Sequence, residues 1–248
     1  MSSYAILAPF YDSLTKDVDY GAFLRFYETV FDLYDRHPKS VLDLGCGTGT
    51  LTCLMAENGY DMIGLDAAPE MLSVAMQKSL VLPTETRPLF LAQSMQDLDL
   101  FGTVEAAVCS LDVVNYLSPD ELDGMLRRLR LFIEPGGLFV FDVDSEQKLR
   151  SLDGQIFLDE TEDVYCVWRA ELEASGVSLR YDMDLFWRMR NTWNRGFEEH
   201  REYLYSTEDL NARLTNMGFG EIRSFGNLKF SPPSPGEDRL FFAARNMR

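Results

Sequence analysis

The feature that most constrains this chain is a turn. Val41-Leu42-Asp43-Leu44 is an apolar, β-compatible run that stops at Gly45-Cys46-Gly47-Thr48-Gly49-Thr50, and Leu51 to Glu57 resumes with helical character. That order predicts a buried strand, a tight bend and a helix start. Three glycines at alternate positions permit a bend that β-carbons would block. The helix start presents backbone N–H groups at the positive end of its dipole, a receptor for a polar or anionic ligand edge. The dinucleotide fingerprint requires Gly-x-Gly-x-x-Gly. Here Thr50 holds the third position of that pattern and the glycine falls one residue early, at Gly49.

Asp43-Leu44-Gly45-Cys46-Gly47-Thr48-Gly49 resembles motif I of the class I S-adenosylmethionine-dependent methyltransferases. The resemblance implies that Asp43, Gly45, Cys46, Gly47, Thr48 and Gly49 hold S-adenosyl-L-methionine. Tyr60 to Leu65 reads as a second strand ending in Asp66, about twenty residues past the first glycine, where nucleoside binders place an acid on the ribose hydroxyls. NAD binders use the same acid, so spacing alone indicates ribose and does not name the cofactor. The segment Ala67-Ala68-Pro69-Glu70-Met71-Leu72 resembles the family's continuation, which implies cofactor contacts at Ala67 and Met71, the latter facing adenine.

Pro88 to Ala92 reads as the third strand, followed by Gln93-Ser94-Met95-Gln96-Asp97-Leu98. Related proteins often carry Asp-Met here, the acid accepting from the adenine amino group; Ser94 stands in its place. The resemblance implies adenine contacts from Ser94, Met95 and Gln96, with Asp97 either compensating for the missing acid or solvated. Val104 to Cys109 is a fourth strand leading to Ser110-Leu111-Asp112-Val113-Val114-Asn115-Tyr116-Leu117. In the family this loop follows the methionine moiety, which implies cofactor contacts at Ser110 and Leu111. Asn115 and Tyr116 are candidate catalytic residues that orient the nucleophile, with packing and helix-start roles as the alternative. Tyr11-Asp12 and Asp19-Tyr20 resemble paired motifs of the family's N-terminal lid, so Tyr11 and Tyr20 either line the methionine end or are core aromatics. His200, in Glu198-Glu199-His200-Arg201, resembles a histidine in an insertion of small bacterial relatives. It is a candidate base or a hydrogen-bonded strand histidine.

The expected fold is α/β: a Rossmann-like, seven-stranded, mostly parallel sheet with a reversed terminal strand, plus a three-stranded antiparallel insertion. Short helices are expected over residues 4–16 and 19–36. Ser118-Pro119-Asp120-Glu121 opens a helix with cap, N1 proline and early acids. Glu134-Pro135-Gly136-Gly137 is a tight turn into a fifth strand, Leu138 to Val143. Val164 to Glu173, Val177 to Arg190 and Thr192 to Tyr203 alternate polar and bulky residues, broken at Ser175-Gly176 and Asn191. Thr207 to Met217 is a last helix, before a strand pair at Glu221–Phe225 and Leu240–Ala244. The domain expectation is 1–150 with 206–248 for the cofactor-binding domain and 151–205 for the insertion, covering substrate or making a dimer contact.

Composition narrows the partners. A formal charge of −17 repels the phosphate backbones that proteins grip with Lys and Arg, so nucleic acid is not expected. Cys46, Cys53, Cys109 and Cys166 form no Cys-x-x-Cys pair, and two histidines form no cluster with metal-ligand spacing, so no metal is expected. No run is long enough to span a bilayer, no basic region precedes the apolar patch at residues 5–10, and a cytoplasmic protein is expected. The activity implied by the resemblance is methyl transfer to an N or O atom of a small-molecule acceptor, with a possible homodimer through the insertion. Two rivals are a nicotinamide-dependent oxidoreductase and a cofactor-binding module without turnover.

Overall fold

The computed structural model describes Tyr4 and residues 6–248. Its elements run α1 (Tyr11–Leu14), α2 (Tyr20–Leu33), β1 (Ser40–Leu44), α3 (Thr50–Glu57), β2 (Asp61–Asp66), α4 (Pro69–Ser79), β3 (Leu89–Ala92), β4 (Val104–Cys109), α5 (Pro119–Phe132) and β5 (Ile133–Asp144). Then come α6 (Glu146–Ser151), β6 (Ile156–Glu160), β7 (Val164–Leu172), β8 (Ser178–Met189), β9 (Thr192–Tyr203), α7 (Thr207–Asn216), β10 (Phe219–Phe225) and β11 (Arg239–Asn246). The main sheet has seven strands in the order β10-β11-β5-β4-β1-β2-β3, and β11 alone runs against its neighbours.

The strand sequences explain this architecture. Parallel strands covered on both faces need near-continuous apolar runs, and β4 supplies one in which Ala106 and Val108 join the core under α2, α3 and α4 while Ala107 and Cys109 join the core under α5 and α7. β11 repeats the alternation with Phe241 and Ala243 on one side and Phe242 and Ala244 on the other. α5 starts on a capping box in which Ser118 and Glu121 each accept the other's backbone N–H, with Pro119 next in line. The Pro-Gly-Gly turn lies inside β5 as a bulge: the register jumps from Val104↔Ile133 to Ala106↔Leu138. Gly136 takes φ +78°, and a Cβ on Gly137 would fall 2.5 Å from the Glu105 carbonyl.

Two expectations need correction. The second sheet has four strands, in the order β6-β7-β8-β9, where three were expected. β6 escapes sequence reading because it is an edge strand with exposed residues on both faces, Ile156 and Leu158 among them, so it lacks the alternation that marks β7, β8 and β9. The helix expected over residues 4–16 shrinks to α1, preceded by turns at Tyr4 and residues 6–10; residue 5, also within that span, lies outside the described residues. Among the described residues no helix is long and apolar enough to cross a membrane.

Candidate active site

β1 lies between β4 and β2, so successive connections leave it in opposite directions and a crevice opens at the carboxyl ends of the strands. Gly45, Gly47 and Gly49 all adopt left-handed φ, at +68°, +53° and +70°. The first and last pack tightly: a Cβ on Gly45 would meet Val113 at 2.5 Å, and one on Gly49 would meet Ala75 at 2.8 Å. Above Gly47 there is open space, the cradle through which a ligand can approach main-chain amides. The Gly47 N–H itself donates to Asp66 Oδ2 at 2.9 Å, and Ala68 N–H donates to Asp66 Oδ1 at 2.8 Å. An ionised carboxylate has about four acceptor positions, so Asp66 retains acceptor capacity for two hydroxyls. Burial raises its pKa, partly offset by those backbone donors.

The crevice brings together Tyr11, Tyr20, Asp43, Gly45, Cys46, Gly47, Thr48, Ser110 and Leu111 of the expected set. Thr50, Leu51 and Val113, not singled out from sequence, complete its lining. Asp43 is buried, its pKa pushed up to about 7 by desolvation, and it accepts the Thr52 hydroxyl at 2.6 Å. Ser110 shares a 2.6 Å hydrogen bond with the Tyr27 hydroxyl from α2. Gly49 is a packing glycine at the start of α3. Met71 is buried beneath the N-terminal segment, with Ala8, Ala68, Tyr4 and Tyr11, while Ala67 is exposed.

Ser94, Met95 and Gln96 do not line the crevice. Ser94 donates to Asp97 at 2.7 Å, Met95 packs on the α5 side of the sheet, and Gln96 faces Gly124 of α5. Asn115 also differs from expectation. It is fully buried, its amide donates to the Tyr203 carbonyl at 2.9 Å and the Asp144 carbonyl at 3.3 Å, and its oxygen accepts Asp144 N–H at 2.9 Å. These bonds make it a brace between three segments. Tyr116 and His200 do come together, their ring centroids 6.1 Å apart, and Tyr4 stacks near both, at 6.0 and 4.6 Å. His200 Nε2 sits 3.1 Å from Glu198 Oε2.

Sequence reasoning missed the polar group beside the crevice. Leu111 and Asp112 hold left-handed φ at +63° and +54°, unusual for a leucine. Their N–H groups donate to the Asp142 carboxylate at 2.8 and 3.0 Å, which holds the turn in place. Arg239, at the start of β11, bonds Asp142, reaches Asp112 at 2.7 Å and lies 3.2 Å from Asp144. The available signal was Asp142 and Asp144 at the carboxyl end of an otherwise apolar central strand.

A methyltransferase domain model matches residues 41–137. The chain is 29% identical to YqeM of Bacillus subtilis (strain 168), over 99% of this chain and 98% of that one. Its structure resembles that of an S-adenosylmethionine-dependent methyltransferase from Clostridium acetobutylicum (TM-score 0.86, 25% identity, 98% of each chain). It also resembles the sugar N-methyltransferase KedS8 from Streptoalloteichus (TM-score 0.76, 22% identity, 95% of this chain and 92% of that one). The glycine turn, the reversed strand and these matches together support a class I S-adenosylmethionine-dependent methyltransferase. Its cofactor is S-adenosyl-L-methionine.

Proposed function

We propose that the chain methylates a nitrogen or oxygen atom of a small-molecule acceptor. The observation that carries this reading is the adjacency of crevice and polar cluster: Leu111 lines the former, and the next residue, Asp112, belongs to a polar group shared with the second sheet. An acceptor reaching that depth has to be small. The likeness to a sugar N-methyltransferase supports the nitrogen alternative and a low-molecular-weight substrate. The −17 charge speaks against a nucleic acid.

When bound, S-adenosyl-L-methionine supplies a methyl group on a sulfonium, whose sulfur leaves as a neutral thioether. The chain's own residues bind and orient. Asp66 accepts from the ribose, the Gly45–Gly49 turn lets the ligand approach the main chain, and Tyr11 and Tyr20 close over the crevice. Tyr116 and His200 face the acceptor. Positioning alone can lower a transfer barrier by roughly 7–11 kcal/mol, and a general base adds about 10²–10⁴-fold. In this reading residues 1–150 and 206–248 bind the cofactor. Residues 151–205 cover the acceptor and offer a homodimer contact through exposed Trp193 and Phe197. All four cysteines are free thiols, which supports a cytoplasmic location.

Melting scans and labelling test the proposal. A ligand at a hundred times its Kd adds about 2.7 kcal/mol, so S-adenosyl-L-methionine should raise Tm by roughly 5–10 °C and NAD should not. Methyl-labelled cofactor with a small-metabolite extract should yield labelled small molecules. A shift with NAD alone supports the oxidoreductase, and a cofactor shift with no labelled product supports a module without turnover.

A further inference from the structure

Beside the crevice lies a buried group of carboxylates drawn from three elements. Asp112 follows β4, Asp144 ends β5 and Glu202 comes from β9, and one oxygen from each lies within 4.8 Å of the others. With Asp142 that makes four acids against two cations, Arg239 and Lys148. Both cations are committed: Arg239 to Asp142, Asp112 and Asp144, and Lys148 to Asp144 at 2.5 Å. Glu202 has no ion pair among the described residues. It is 5% exposed, and its Oε2 lacks a hydrogen-bond partner. A buried carboxylate oxygen with nothing to bind is destabilising, so its retention points to a partner that arrives from outside.

A second orphan sits two residues away on the same strand face. His200 is 3% exposed, and its Nδ1 has no partner. Its ring lies among Tyr4, Tyr116 and Trp168, with centroid distances of 4.6, 6.1 and 6.3 Å. Excess negative charge walled by electron-rich rings is the environment that recognises an organic cation. A divalent metal fits less well. It requires several oxygen ligands, yet Asp112 and Asp144 already hold a guanidinium and an ammonium, leaving only Glu202, whose side chain also meets the Tyr181 hydroxyl, without a cation.

We propose that the methyl acceptor is a primary or secondary amine that enters as its ammonium ion, held by Glu202 and Asp112 against the Tyr4, Tyr116 and Trp168 rings. This rests on the methyltransferase reading and narrows its acceptor to nitrogen. Glu202 takes one N–H proton, which exposes the nitrogen lone pair. That pair forms the new N–C bond while the C–S bond breaks and its electrons stay on sulfur. The product leaves as an alkylated ammonium, and the proton on Glu202 passes to solvent. Burial and the neighbouring Asp112 and Asp144 charges raise the Glu202 pKa, which suits a proton acceptor from an ammonium.

The test uses the full chain saturated with S-adenosylhomocysteine. Phenethylamine and cyclohexylamine are titrated against the matched alcohols, 2-phenylethanol and cyclohexanol, and against magnesium chloride, with tryptophan fluorescence and calorimetry as readouts. The amines should bind saturably, and the alcohols at least tenfold more weakly. Glu202→Gln should weaken amine binding at least tenfold while leaving S-adenosylhomocysteine affinity unchanged; Asp112→Asn is the second variant should the first fail to fold. Equal binding of amine and alcohol, no saturable amine response, or magnesium binding that Glu202→Gln abolishes overturns the proposal and leaves the methyltransferase reading intact. Failure of S-adenosylhomocysteine to bind overturns both.

Discussion

Asp66 combines two tasks in one carboxylate. By accepting the Gly47 and Ala68 N–H groups it fixes the glycine turn against β2, and in the proposed function its remaining lone pairs serve the ribose. Hydrogen bonds to a charged group contribute about 1.5–3 kcal/mol each, so Asp66→Ala should weaken S-adenosyl-L-methionine binding at least tenfold by calorimetry; an unchanged Kd would remove Asp66 from the cofactor site. Asn115 is the opposite case. Asn115→Ala should lower the unfolding free energy by about 2–4 kcal/mol in a denaturant titration, because buried backbone groups of Asp144 and Tyr203 lose partners. Cofactor affinity of the folded variant should hold. A variant of normal stability with no turnover would return Asn115 to the acceptor. The glycines and Asp66 were legible in sequence because a turn and the following strand end are set locally. Asp112, Asp144, Glu202 and Arg239 were not, because each belongs to a different element.

At the scale of elements, the N-terminal segment is a strap fastened at both ends. Glu198 on β9 accepts the N–H groups of Tyr4, Ile6 and Leu7 at 3.1, 2.7 and 3.3 Å. Asp12 on α1 accepts the Thr48 hydroxyl at 2.6 Å and pairs with Lys78 of α4 at 2.7 Å. The strap lays Tyr11 across the crevice with Tyr20, leaving a free volume of about 40 Å³, well under the ~300 Å³ of a ligand pocket. We expect a nucleoside-sized ligand to enter as the strap lifts. Glu198→Ala should speed amide hydrogen exchange at Ile6 and Leu7 severalfold and raise the cofactor association rate in stopped-flow. Exchange that stays at the native rate would show that Glu198 is not the fastener. The tyrosines of this strap stood out in sequence, but its fastening to a strand about 190 residues later did not, since chain separation carries no local pattern. β7, β8 and β9 were legible through their alternation, whereas β6 is a largely exposed edge strand that shows no clear periodicity.

Across the whole molecule, the dominant electrostatic fact is a set of carboxylates held away from water. Burial pushes Asp43 and Asp112 up to about 7, Arg239 opposing the shift at Asp112, and raises Asp66, Asp142 and Glu202 in the same direction. Without a bound cation beside them these groups hold protons in the folded chain that the unfolded chain releases above about pH 4, and an ammonium seated on Asp112 and Glu202 would reverse the shift there. Stability should therefore fall as pH climbs from about 4 through about 7. The −17 net charge adds self-repulsion of the same sign. Asp184 works the other way: hydrogen bonds from Arg169 and Arg195 hold it below the usual range, so its contribution is lost only as pH drops below about 4. Calorimetry should find a higher Tm near about pH 5.5 than near about pH 8; a flat or rising profile across that interval would mean that these acids are ionised and compensated in the folded state.

The sequence by itself determined the parallel sheet, the glycine turn with its ribose acid, and the antiparallel hairpins, because each is written in neighbouring residues whose spacing matches a backbone period. Only the tertiary structure decided the carboxylate cluster beside the crevice. β11 runs opposite to β5 and so brings Arg239 to the carboxyl edge opposite Asp144, while β9 folds back to set Glu202 and His200 beside the turn after β4. Charges that meet only through strand order and direction leave no trace along the chain.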